Sequence, residues 1–167
     1  MTRRYDDADT RLWIGVDPGL RGGVAALGTD GAVLAAFDMP ITTHPKAGKT
    51  VDARRLPVHR MPVDTVVIEE VEPRPANGPR PAMRQGMGYG IIIAAWTPDV
   101  YVRAARWKRD LGVTADKQTS IELARQLWPA DFDRHFCGPR GGVRDGRVEA
   151  ALIAHWAINH HGGTDEG

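Results

Sequence analysis

Twice in this chain a short apolar run closes on a carboxylate. Leu12-Trp13-Ile14-Gly15-Val16-Asp17 ends in an acid followed by Pro18-Gly19, and Val63-Asp64-Thr65-Val66-Val67-Ile68-Glu69 ends in a second. Runs of this length, apolar and bounded by turn residues, read as buried strands. A charge at the end of such a strand abuts the core, where an unpaired carboxylate is costly. If the two strands are parallel neighbours, Asp17 and Glu69 emerge at one edge of one sheet.

The rest of the chain supplies a framework for that sheet. Residues 22–29 read as a second strand, and the turn dipeptide Asp30-Gly31 leads into a third over residues 32–39. Residues 40–49 read as loop, and residues 51–59 as a short helix before Pro62. Residues 72–81 hold prolines and a glycine and are expected as loop, followed by a helix over residues 82–95 that Gly86, Gly88 and Gly90 punctuate. Residues 100–104 read as a fifth strand. Asp116 suits the N-cap of a helix over residues 117–127 that Pro129 closes. After the glycine-rich residues 138–142, a last helix is expected over residues 145–159, with Val148, Leu152, Ile153 and Trp156 on one side. A hairpin start with later strand–helix alternation is a mixed α/β layout.

Composition sets the outer bounds. The 167 residues, 42% hydrophobic and 26% charged, suit a single soluble domain with one core. No apolar run approaches the roughly 18 residues of a membrane span. The first ten residues are charged, so no secretory signal is expected, and a lone cysteine, Cys137, points to a reducing cytoplasm. The net charge of +1 hides an uneven distribution: residues 74–147 carry 13 Lys and Arg against 7 Asp and Glu. Such a basic stretch suits either a polyanion-facing surface or a salt-bridged solvated face.

Chemistry is concentrated in the acids. Asp145 and Glu149, spaced i and i+4, project from one face of the last helix. Together with Asp17 and Glu69 they can converge on one point, where their repulsion calls for cations, and oxygen ligands suit Mg²⁺ or Mn²⁺. Two such ions about 4 Å apart activate water and stabilise a leaving oxygen in phosphodiester hydrolysis. Taken singly, each acid also fits a structural role: a loop cap after a strand, or a favourable first-turn acid at a helix N-terminus. Other chemistries lack support. Cys137 stands without a motif, and the six histidines show no zinc spacing. Lys46-Ala47-Gly48-Lys49-Thr50 lacks the upstream glycine of a phosphate-binding loop, so no nucleotide cofactor is expected.

Four segments resemble one family. Ile14-Gly15-Val16-Asp17-Pro18-Gly19 with Gly22-Gly23-Val24-Ala25 is similar to the first-strand motif of RuvC-type Holliday junction resolvases. Val67-Ile68-Glu69-Glu70-Val71 resembles the second motif, and Trp107-Lys108-Arg109-Asp110-Leu111-Gly112-Val113 with Lys117 resembles the basic segment. Residues 145–154, DGRVEAALIA, resemble the last motif; Asp38-Met39-Pro40 and the Pro-rich segment after Glu69 are similar especially to RuvC-like proteins of bacteriophages and prophages. The resemblance implies a ribonuclease H-like fold: a five-stranded mixed sheet flanked by helices, forming one nuclease domain over residues 12–160 between a flexible arm (1–11) and a flexible tail (161–167). It implies a homodimer that nicks DNA four-way junctions in pairs, with two Mg²⁺ ions per site. Asp17, Glu69, Asp145 and Glu149 would hold the metals, and Lys108 and Lys117 would contact the scissile phosphate. Arg74, Arg80, Arg84 and Arg109 would join both lysines in binding DNA.

Two departures stand out. Asp145 and Glu149 are four residues apart where the bacterial enzyme typically has three, and Val71-Glu72-Pro73-Arg74 lacks the aromatic that stacks on unpaired bases in that enzyme. Because this fold hosts several activities, the rivals are a broader branched- or flap-DNA nuclease, a pre-ribosomal-RNA nuclease and a non-catalytic junction-binding protein.

Overall fold

The computed structural model describes residues 11–45, 48–56, 63, 65–72 and 78–162. Its centre is a five-stranded mixed sheet in the order β3-β2-β1-β6-β7. Strands β1 (Leu12–Asp17), β2 (Gly23–Gly28) and β3 (Val33–Asp38) form an antiparallel meander. Strands β6 (Thr65–Glu69) and β7 (Val100–Val102) run parallel to β1. The two acid-tipped strands are therefore parallel neighbours, as the sequence requires for a shared sheet edge.

Both faces of the sheet are covered, and strand alternation sorts the core into two parts. Trp13, Ala25, Leu27 and Val67 face helices α2 (Ala104–Asp110), α3 (Lys117–Leu127), α4 (Phe132–Phe136) and α5 (Asp145–His161). Ile14, Val16, Val24, Ala26, Val66 and Ile68 face helix α1 (Pro79–Trp96). Helix α5 is buried around most of its circumference, because Ala150, Ala151, Ala154 and Ala157 are enclosed along with the expected Val148, Leu152, Ile153 and Trp156. Each of those larger side chains contributes about 1.5–3 kcal/mol by burial. Alanines on the sheet side let the helix lie close, and Gly15 completes the fit: a Cβ there would overlap the Ala150 carbonyl oxygen.

Several local expectations need correction. Residues 40–49 are not loop alone: β4 (Ile41–His44) pairs antiparallel with β5 (Gly48–Val51), in register Ile41 to Val51. β-Branched Thr42, Thr43 and Thr50 suit this hairpin, and Val51 is buried in the α1-side core. Val51 thus ends a strand, and only Ala53–Arg55 form a 3-10 turn, capped by the Asp52 carboxylate accepting from Arg54 N at 3.1 Å. Residues 57–60 lie outside the described residues. Helix α1 starts at Pro79 rather than residue 82, since proline in a first turn forfeits no intrahelical bond. The strand expected to reach residue 104 stops at Val102, and the Ala- and Arg-rich residues that follow form α2. Helix α4, unforeseen, packs Phe132 and Phe136 together at 5.4 Å, with Phe136 also 5.5 Å from Trp128. Helix α5 runs to His161, the first residue of the stretch expected as tail, and residues 163–167 lie outside the described residues. His160 stacks on Trp156 at 4.7 Å. Among the described residues no helix is long and apolar enough to cross a membrane.

Candidate functional site

Alternation along β1 and β6 decides where their last residues point. Asp17 shares the parity of Trp13, and Glu69 that of Val67, so both acids project to the α5 side of the sheet. The strands pair as far as Val16 opposite Ile68, and one further step sets Asp17 abreast of Glu69. Helix α5 arrives over the same edge. Its Gly146 bridges to Gly22, and a Cβ at position 146 would overlap the Arg21 carbonyl oxygen. Backbone thus meets backbone at the first turn of α5, which brings Asp145 and Glu149 to the sheet edge. Arg147 fixes the same turn from outside, forking onto Asp38 at 2.8 and 3.1 Å and donating to the His135 carbonyl at 3.3 Å.

The acids feel one another. Asp17 is pushed up to about 7 by its burial and by the Glu149 and Glu69 carboxylates, against the opposing pull of the Gly19 N–H and Lys117. Cations are interleaved with them. Lys108 Nζ donates to Glu149 Oε1 at 2.9 Å, and both side chains are largely enclosed. Lys117 pairs with Asp145. Burial alone would raise Asp145, but Lys117 and the backbone N–H groups at the start of α5 hold it below the usual carboxylate range. The same ion pair raises Lys117, with Glu149 and Asp17 adding to the effect. A lysine in the first turn of a helix opposes the helix dipole, so the placement of Lys117 at the start of α3 makes sense through these acids rather than locally.

The structure therefore brings together Asp17, Glu69, Asp145, Glu149, Lys108 and Lys117, six residues singled out in the sequence. Asp145 is the first residue of α5, with Arg144 at the cap position. As the side chains stand, no three acidic, histidine or cysteine groups among the described residues are gathered in ligating geometry. Glu149 and Asp145 each commit an oxygen to a lysine, and Glu69 commits one to Trp107, whose Nε1–H donates to it at 2.8 Å. That indole bond had no signal in the sequence beyond the position of Trp107 next to Lys108.

The arginines are more dispersed. A cleft of about 880 Å³ opens beside the acids, lined by Asp17, Glu69, Val51, Gly88, Arg84 and Arg103 among others. Arg84 stands on its α1 wall, and Arg80 is exposed a turn earlier. Arg109 is exposed but folded back onto Asp110, with bonds of 3.0 and 3.2 Å. Arg103, unforeseen in the sequence, pairs with Glu70 at 3.2 Å on the cleft wall. Arg74 lies outside the described residues. Cys137, half-buried, has its thiol pushed up by burial, in keeping with an unreactive side chain.

Fold and site together define an α/β protein with an acidic, lysine-studded centre at one edge of a mixed sheet. No family model matches the chain, and no curated protein matches it in sequence.

Proposed function

We propose that this chain is a metal-dependent endonuclease of the ribonuclease H-like fold that resolves DNA four-way junctions, as its resemblance to RuvC-type resolvases implies. The observation that carries the reading is the crowding around Asp17. Acids from two adjacent parallel strands and from α5 share one spot, where burial together with the Glu149 and Glu69 carboxylates raises the proton affinity of Asp17. Natural cores avoid such repulsion unless a cation relieves it. The hairpin-started mixed sheet and the four motif segments support the same fold.

The donor set fits a hard divalent ion: all four candidate ligands are carboxylates, and two of them, Asp17 and Glu69, line the cleft of about 880 Å³. Asp17, Glu69, Glu149 and Asp145 would hold Mg²⁺ or Mn²⁺, two ions per site. When bound, these supply an activated water and stabilise charge on the leaving oxygen. The remaining chemistry belongs to the chain itself. Lys117, with its side chain 61% exposed and paired with Asp145, would contact the scissile phosphate. Lys108, more enclosed, holds Glu149 in place and offers a second positive charge. Arg80 and Arg84 on α1 would contact flanking phosphates, and a homodimer would set two such sites for paired nicks.

The test is to incubate labelled four-way junction, flap and linear duplex with the protein, with Mg²⁺ or EDTA, alongside Asp17→Asn. The expected result is symmetric nicking of the junction alone, lost in EDTA and reduced about a thousandfold in the variant, the equivalent of roughly 4 kcal/mol of barrier. Equal cutting of flap and junction replaces the reading with a general branched-DNA nuclease. Tight junction binding without cutting by both proteins replaces it with a binding protein.

A further inference from the structure

Helix α2 places two consecutive side chains on acids from two different elements. Trp107 bonds Glu69 of β6, and Lys108 bonds Glu149 of α5. The two partners do different things to their carboxylates. Lys108 brings a charge and neutralises as it binds. The indole of Trp107 brings a donor with no charge and no accessible titration. It therefore fixes the rotation of the Glu69 carboxylate, a torsion that is otherwise broad, while contributing no charge of its own.

The donor is itself rigidly held. Trp107 is 0% exposed within the core beneath α5, so neither water nor another rotamer competes for its N–H. Moving the carboxylate away would strand a buried donor, at the cost of an unmade hydrogen bond. We propose that Trp107 is a positioning residue for Glu69, orienting that carboxylate for a divalent cation without discharging it. The inference rests on Glu69 being a metal ligand.

The test compares wild type with Trp107→Phe, which keeps an aromatic ring and removes the donor. Mn²⁺ binding is read by electron paramagnetic resonance, thermal unfolding is followed in EDTA, and junction nicking is measured against Mg²⁺ concentration. The expected variant is folded and binds Mn²⁺ about 10- to 100-fold more weakly. Its Mg²⁺ requirement for nicking rises in parallel, while KM for the junction stays unchanged. Wild-type Mn²⁺ affinity in a folded variant overturns the proposal. Should the variant not fold, the indole ¹H–¹⁵N resonance of Trp107, assigned in the wild-type protein, decides the matter. It is expected to shift during Mg²⁺ titration with the same midpoint as the Asp17 amide, and an indole signal unmoved at saturation overturns the proposal. Wild-type protein that takes up no Mn²⁺ removes the underlying reading as well, before any variant is compared.

Discussion

Helices α5 and α1 cover opposite faces of one sheet, and they do so in contrasting ways. Helix α5 is enclosed on nearly every side and touches β1 and β2 through backbone, with glycine at each crossing point. Helix α1 buries only Gly88, Ile92 and Trp96, leaves Met83 62% exposed, and carries glycines at 86 and 90 with open space around them. The candidate ligands and lysines stand on the α5 side. The cleft and its arginines open toward α1. A site that must hold several like charges within a fraction of an ångström needs the rigid wall, whereas an open wall leaves room for a bulky polyanion to enter.

The contrast breaks most easily at Gly15. Substituting Gly15→Ala drives a methyl group into the Ala150 carbonyl and the Ala154 backbone, neither of which can move alone. The expected cost is about 3 kcal/mol, seen as a lower urea midpoint at constant slope. The displaced α5 would also carry Glu149 away from Asp17. A variant as stable as wild type would show that α5 can slide, and the rigid-wall argument would fail.

Much of that wall was legible in the chain. Strands β1, β2, β3 and β6 announce themselves by dense apolar or β-branched runs, and α3 by the Asp116 cap, whose side chain accepts from Gln118 N at 3.0 Å. Asp17 and Glu69 were visible because an acid at the end of a buried strand is locally anomalous. The β4–β5 hairpin was hidden because its residues are polar and half-exposed, and its strand character comes from pairing and from Val51 docking on α1. Helix α2 follows β7 after a single residue and reads as the strand's continuation. The partners of the acids were invisible for a simpler reason. Glu69 meets Trp107 across 38 residues, Glu149 meets Lys108 across 41, and Asp145 meets Lys117 across 28. No local pattern encodes such distances.

The charge crowding on the rigid side has a pH signature in metal-free protein. Folding raises Asp17 from 3.8 to about 7, through burial first and then Glu149 and Glu69. The folded state therefore binds a proton that the unfolded chain has released. This contribution to stability is complete below pH 3.8 and is lost as pH rises through 7. In EDTA, unfolding between pH 5 and pH 8 should show a loss on the order of 2 kcal/mol from this residue, allowing for its partial solvent access. Asp17→Asn should flatten that part of the profile. An unchanged slope in the variant would mean that the acids do not crowd.

On the open side the expected effects are smaller and of a different kind. Arg84 lines the cleft wall, so Arg84→Ala should weaken junction binding uniformly across sequences and lower the magnitude of the salt-dependence slope by about one. Titrations at several salt concentrations measure this directly. An unchanged slope would move the DNA path off α1.

The smallest effect sharpens the contrast furthest, because its expected sign is opposite to that at Gly15. Gly86 sits in the interior of α1, exposed, and a Cβ there meets nothing within 4 Å. Glycine at such a position costs the helix roughly 0.5–1 kcal/mol relative to alanine, mostly through backbone entropy in the unfolded chain. In dilute protein, Gly86→Ala should therefore raise the urea midpoint by about that amount. The same methyl group would obstruct any close backbone approach of a second helix. Stability measured across a range of protein concentrations separates the two contributions, since only the association term depends on concentration. A concentration-independent gain means that this face of α1 stands open in the folded protein. A loss that grows with concentration means that a second copy packs against Gly86, and that the loosely covered side of the sheet is closed by dimerisation.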